Sequence, residues 1–192
     1  MPLPLPERLL ARQDPVLASV ISSCETRWPV NPNEHPIWGL SRIIIAQQVS
    51  TGVACTLADR VRLAYPRLPD PNGSIVPRVN MLRSLGIPKS RARCCNTVAQ
   101  RSKEILAKVA QGQTWEQALA GIKGIGPWTI SVFRIMVLRD PDVLPLGDVG
   151  LERAIRNVYG RPRNVARLGE KWRPYRSVAC WYLWQSLDVK TL

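Results

Sequence analysis

Asp148 is the residue in this chain whose type and place best suit a reaction. It follows VLPLG at positions 143–147, a connector broken by Pro and Gly. It precedes VGLERAIRNVYG, whose apolar residues recur at helical spacing. That position predicts an N-cap, where a carboxylate accepts backbone N–H groups and the helix dipole favours negative charge. A capping aspartate with no other job is the plain reading of this residue by itself. A second constellation lies upstream, Gly121-Ile122-Lys123-Gly124-Ile125-Gly126-Pro127. Gly124 and Gly126 let the backbone approach a partner with no Cβ in the way. Amides of such a hairpin and of the helix turn after it form an anion site, with DNA phosphate a candidate ligand. A glycine-rich connector between helices would read the same, because short glycine patterns are weak signals. Gln47 and Gln48 close an apolar helical run, where consecutive amides are costly if buried without partners. Seven tryptophans against one phenylalanine complete the inventory. Tryptophan can stack on a base, although most tryptophans are core.

These residues need elements to hold them. Thr114 opens a short helix before the hairpin, and Pro127 suits the first position of the helix after it. Residues 128–138 repeat their apolar positions at helical spacing, so a helix-hairpin-helix is predicted over about 114–138. Asp14 caps a helix over residues 15–21, and the Pro-rich opening MPLPLPERLL reads as a flexible arm rather than a signal peptide. Residues 27–36 read as a linker and 70–73 as a turn. Residues 37–65 read as two helices broken near 50–52, residues 74–85 as a short helix, and residues 89–109 as one basic helix with an apolar face. Trp172 and Trp181 read as core, and Trp38 as a possible pocket wall.

Composition narrows the partner. Lys plus Arg is 27 and Asp plus Glu is 14 over 192 residues, a formal charge of +13. A chain this basic suits a polyanion, and arginine, which dominates the count, suits bidentate phosphate contacts. Apolar runs such as residues 43–46 are far too short to span a bilayer. The five cysteines are odd in number and there is one histidine, which fits neither a disulfide framework nor a Cys/His zinc site. Free thiols fit a reducing cytoplasm.

Taken together, the hairpin and the acid after a Gly/Pro-rich loop resemble the helix-hairpin-helix DNA glycosylases, and among them bacterial 3-methyladenine-DNA glycosylase II. The family hairpin, close to LPGIGxWTA, is matched by IKGIGPWTI at 122–130, with Lys123 where the family has proline. IIAQQVS at 44–50 is similar to the family's ILxQxVS helix, and LGIPKSRA at 85–92 to its LGMPxxRA turn. RPYRSVACWYLW at 173–184 is similar to its closing helix, KPWRSxAxxxxW, and DPVLASVI at 14–21 to a short early segment. The matches run in order from about residue 14 to 185.

The resemblance implies an all-α fold of two helical lobes flanking a DNA-binding and active-site cleft. One lobe is expected from about residues 1–34 with 146–192, the other from about 35–145. Bacterial members often carry a β-rich N-terminal domain, and the helical core alone is expected here. Asp148 takes the catalytic role. Trp128, Trp184 and Gln47 take positions at the base pocket. Gln48 takes the wedge that fills the gap left by an extruded base, and Lys123, Gly124, Ile125, Gly126 and Thr129 take DNA contacts. Backbone carbonyls of Ala120, Ile122 and Ile125 take a structural Na+ or K+. No catalytic cofactor is expected. The related endonuclease III branch holds an iron–sulfur cluster on four C-terminal cysteines; only Cys180 lies in that region, so none is expected. Bifunctional relatives place a lysine nucleophile just after the hairpin, where this chain has Trp128. The expected reaction is therefore monofunctional hydrolysis of alkylated purines such as 3-methyladenine and 7-methylguanine in double-stranded DNA. The enzyme would act as a monomer in the cytoplasm, at the bacterial nucleoid. Uracil or hypoxanthine on the same scaffold, or damaged-DNA binding without catalysis, stand as the alternatives.

Overall fold

A computed structural model describes residues 4–28, 34–67, 76–160 and 164–188. The turn expected at 70–73 and the centre of the linker expected at 27–36 lie outside the described residues. Among the described residues there are helices and turns and no strand, and no helix is long and apolar enough to cross a membrane. The helices are α1 (Leu5–Gln13), α2 (Pro15–Ser23), α3 (Pro36–Ala46), α4 (Thr51–Ala64), α5 (Val79–Ser84) and α6 (Lys89–Gln100). They continue with α7 (Ser102–Ala110), α8 (Trp115–Ala118), α9 (Pro127–Phe133), α10 (Val149–Tyr159), α11 (Val165–Glu170) and α12 (Arg176–Asp188). The chain divides into two compact units, Met1–Pro32 with Arg134–Leu192, and Asn33–Phe133.

The first unit is built round α12. Its residues Ser177 to Leu183 are buried in succession, and a helix apolar on all sides needs neighbours on all sides. α1, α2, α10 and the turn at Arg134–Leu138 pack around it. Asp14 is the polar pin of this unit. Its Oδ1 accepts the amides of Val16 and Leu17 at 3.1 and 3.0 Å, capping α2. Its Oδ2 accepts the Tyr159 hydroxyl at 2.8 Å and the Trp172 indole N–H at 3.0 Å. Burial, and then the adjacent carboxylate, push the Tyr159 hydroxyl far above its ordinary range. Trp172 and Trp181 are core, as expected.

Three expectations are corrected in this unit. The opening residues are not an arm throughout: Leu5–Gln13 is helical, Leu10 is fully buried, and the Tyr182 hydroxyl donates to Glu7 Oε1 at 3.1 Å. A Pro in the first turn favours that helix start, and Leu10 supplies the apolar contact that docks it. The lobe boundary expected near 145 lies between Phe133 and Arg134 instead. The connector after Leu138 is tied to α12 and to the segment before it: Asp142 accepts Arg173 and Arg176 at 2.7 Å each, and Ser177 Oγ accepts the Val143 amide at 2.9 Å. The helix predicted to run to Leu138 is α-helical only to Phe133. It widens to a π turn at Arg134–Leu138, closed by the ion pair of Arg134 with Asp140.

The second unit repeats the plan round α3, whose Ile37, Trp38, Leu40, Ile43, Ile44 and Ile45 are all buried. Trp38 is thus core rather than a pocket wall. α4, α6 and α9 pack on α3, α5 on α6, and α7 on α8. The break between α3 and α4 falls at Gln47–Ser50, slightly before the expected one. The described part of the segment predicted at 74–85 is helical only over Val79–Ser84. The single basic helix expected over 89–109 is two, broken at Arg101, whose guanidinium turns onto Glu104 with two contacts of 2.9 Å.

Candidate functional site

Asp148 is placed by the loop before it and the helix after it. Gly169 has no side chain where Leu144 packs; a Cβ there would meet Leu144 Cδ2 at 2.5 Å, so this contact seats the connector. Pro145, Leu146 and Gly147 then turn sharply. The Asp148 amide returns to the Pro145 carbonyl at 3.2 Å, and Gly147 takes φ +79°, a conformation glycine tolerates. Asp148 is the N-cap of α10, as its spacing predicted. It is 7% exposed, and its Oδ1 accepts two donors, the Leu151 amide at 2.5 Å and the Trp184 indole N–H at 3.0 Å. The acid and one of the expected pocket tryptophans thus meet in direct contact. Cys180 is fully buried nearby; burial first, and then the charge of Asp148, push its thiol far above the ordinary range. Two bulky apolar residues flank the acid in the open, Leu146 at 60% exposure and Val149 at 75%. They were not singled out from the sequence. The available signal was their position, apolar residues on either side of a loop acid, where a purely structural loop would favour polar ones.

A carboxylate held this way has a fixed direction. Hydrogen bonds to a charged acceptor are the strong ones, and here the donors come from a helix backbone and a ring. Such a group can stabilise a cation developing beside it without reorganising first.

The hairpin is organised in the second unit. Thr114 and Gln117 form a reciprocal cap on α8: Thr114 Oγ1 accepts the Gln117 amide at 3.2 Å, and Gln117 Oε1 accepts the Thr114 amide at 2.8 Å. Gly121 and Gly124 take φ +77° and +99° to reverse the chain. Ile122 is buried, and its carbonyl accepts the Ile125 amide at 3.1 Å. The Ile125 N–H expected to face DNA is therefore committed to the turn. Lys123, Gly124 and Gly126 are exposed, with Gly124 resting on Cys94, whose Sγ would lie 3.1 Å from a Cβ. Burial pushes the Cys94 thiol up to about 11.

Gln47 links the end of α3 to this hairpin. Its Nε2 donates to the Gly124 carbonyl at 3.1 Å and to Thr129 Oγ1 at 2.9 Å. Gln47, to which the resemblance gives a structural and pocket-side place, uses its amide to brace the hairpin. One expectation changes as a result. Thr129, expected to contact DNA, is 2% exposed and receives that amide. Gln48 is exposed, with φ +57°, which is strained for a residue other than glycine and fixes the turn that presents its side chain. Arg91 supports the same turn by donating to the Ile45 carbonyl at 2.9 Å. Trp128 is half-buried in the first turn of α9. The five cysteines are free, and among the described residues no His/Cys/Asp/Glu group could hold a metal.

Known proteins share this organisation. No protein-family model matches the sequence. The chain is 34% identical over 162 residues to a probable bifunctional transcriptional activator/DNA repair enzyme AlkA of Mycobacterium tuberculosis, a match covering 77% of this chain and 32% of that protein. It therefore spans about a third of that relative's length. It is 26% identical to the alkylbase DNA glycosidase-like protein mag2 of Schizosaccharomyces pombe, over 81% of this chain and 79% of the other. The fold matches a solved 3-methyladenine DNA glycosylase, Mag1 of the same yeast in complex with abasic DNA, with a TM-score of 0.76. That match covers 97% of this chain and 99% of the other at 22% identity.

Proposed function

We propose that this chain, whose homologues are DNA-3-methyladenine glycosylases, is a monofunctional DNA glycosylase that hydrolyses the N-glycosidic bond of alkylated purines in double-stranded DNA. The observation that carries the reading is the buried Asp148 carboxylate at a helix N-terminus, its Oδ1 shared by the Leu151 amide and the Trp184 indole. A damaged base inside the duplex is out of reach, so the nucleotide must be extruded before the bond can break. Cleavage develops oxocarbenium character on the sugar. Asp148 stabilises that cation and orients the attacking water. Alkylation gives the leaving purine a positive charge, so a strong general acid is not required. The electron-rich face of Trp184, held beside the acid, attracts such a cation. Leu146 and Val149 give the sugar an apolar surface beside the acid.

Binding is assigned to the second unit. Lys123 and the exposed glycines of the hairpin take the phosphate, and Gln48 enters the gap left by the extruded base. The carbonyls of Ala120, Ile122 and Ile125 suit a structural Na+ or K+, because neutral oxygens fit a monovalent ion. The Ile122 carbonyl also accepts the Ile125 amide, and its two lone pairs allow both. Trp128 stands where a lysine nucleophile would be needed for strand cleavage, which favours simple hydrolysis to an abasic site, with no catalytic cofactor. The proposed setting is the bacterial nucleoid, with the protein acting as a monomer.

The test is base release from methylated duplex DNA, scored beside uracil- and hypoxanthine-containing duplexes. Release of 3-methyladenine or 7-methylguanine is expected, falling about a hundredfold to a thousandfold in Asp148→Asn while the duplex still binds. Release of only uracil or hypoxanthine would move the substrate. Binding without release from any duplex would make the protein a damaged-DNA binder.

A further inference from the structure

We infer that Gly150 is a positioning residue for Asp148, an inference that rests on the catalytic reading of that acid. Gly150 is the second residue of α10 and the one glycine within it. A Cβ built there would lie 3.2 Å from Asp148 Oδ1, 3.6 Å from Trp184 Cδ1 and 3.7 Å from Trp184 Nε1. The three nearest atoms all belong to the acid and the indole that holds it. Oδ1 already accepts two donors, so it cannot retreat from a methyl group without lengthening one of those hydrogen bonds. The indole would have to tilt away from the first turn of α10 to give the same room.

Helix propensity points the other way. Glycine weakens a helix relative to alanine because its backbone is freer when unfolded. Gly150 does not occupy the positive-φ region, so no backbone demand excludes alanine. The absence of a side chain is explained by what lies above it, the shared oxygen of the Asp148–Trp184 pair. Alanine at this position therefore separates stability from catalysis.

The experiment compares Gly150→Ala and Gly150→Val with the unaltered protein. Four quantities are measured: melting temperature, affinity for an abasic-site duplex, single-turnover release of 7-methylguanine, and the 15N–1H resonance of the Trp184 indole, assigned with Trp184→Phe. Gly150→Ala is expected to melt at the same temperature or higher and to bind the duplex as before. Its release rate falls about tenfold, since small misplacements of a reacting group are costly, and its indole resonance moves. Gly150→Val moves both further. A Gly150→Ala protein with an unaltered rate, or with an unaltered indole resonance, overturns the inference. So does a slower one whose melting temperature and affinity fall in step. Asp148→Asn separates the two levels. If it still releases base, the catalytic reading falls and this inference with it. If it does not, an unaltered Gly150→Ala rate removes the inference alone.

Discussion

Each unit of this chain is built round one largely buried helix, and the two helices deliver different things. In the first unit, α12 carries its buried run to Leu183 and then presents Trp184, whose ring nitrogen holds the Asp148 side chain. In the second, α3 ends in Gln47, whose amide holds the backbone of the hairpin at Gly124 and the hydroxyl of Thr129. A fixed ring positions a buried acid in one unit, and a side-chain amide positions exposed main chain in the other. The difference follows from the tasks proposed for them. A reaction at one carbon needs a charge held to a fraction of an ångström. A phosphate contact needs close approach and donors, and tolerates more movement.

The comparison predicts that damage to the two sites separates turnover from affinity. The largest effect after loss of the acid is expected for Gly124→Ala. The new methyl would face Cys94 Sγ at 3.1 Å from a backbone with φ +99°. The left-handed region alone costs a residue with a side chain about 1–2 kcal/mol. DNA affinity is expected to fall about tenfold, or 1.4 kcal/mol, with the rate of release from saturated enzyme little altered, as read by titration and single-turnover kinetics. Trp184→Phe should do the reverse. It keeps an aromatic ring and removes the donor to Oδ1, a hydrogen bond to a charged group worth about 1.5–3 kcal/mol. Release should slow about tenfold, the lower end of that range at 1.4 kcal/mol per factor of ten, while affinity changes by no more than about twofold. Lys123→Ala is the mildest. It should weaken binding to every duplex a few-fold and reduce the slope of log affinity against log salt by about one. A Trp184→Phe protein that binds poorly, or a Gly124→Ala protein that binds normally and turns over slowly, would erase the distinction.

The sequence was most legible where local chemistry decides the structure. Asp148 caps α10 because an acid between a Pro/Gly loop and an amphipathic run has few better places. Asp14 caps α2, and Thr114 opens α8, for the same reason. What escaped were contacts made at long range. Thr129 looked like part of the DNA-facing hairpin because it follows the glycines, yet Gln47, far away in the chain, draws it inward. The widening at Arg134–Leu138 depends on Arg134 meeting Asp140, which helical periodicity does not encode. The helix at Leu5–Gln13 was hidden because three prolines crowd the first six residues, while the buried place of Leu10 exists only once α2 and α12 are assembled. Gly150 could not be found by pattern at all, since its role lies in an atom it lacks.

The contact of Asp14 with Trp172 and Tyr159 also orders events in time. The second unit, Asn33–Phe133, is continuous and can fold as soon as it has left the ribosome. The first unit cannot. α1 and α2 are synthesised before the second unit, but the helix they pack on is α12, more than a hundred and forty residues later. Until then Leu10, Leu17 and Ile21 have no core to enter. The order of synthesis thus favours completing the hairpin before the acid, so a nascent chain acquires the proposed DNA-binding unit before the proposed means of cutting.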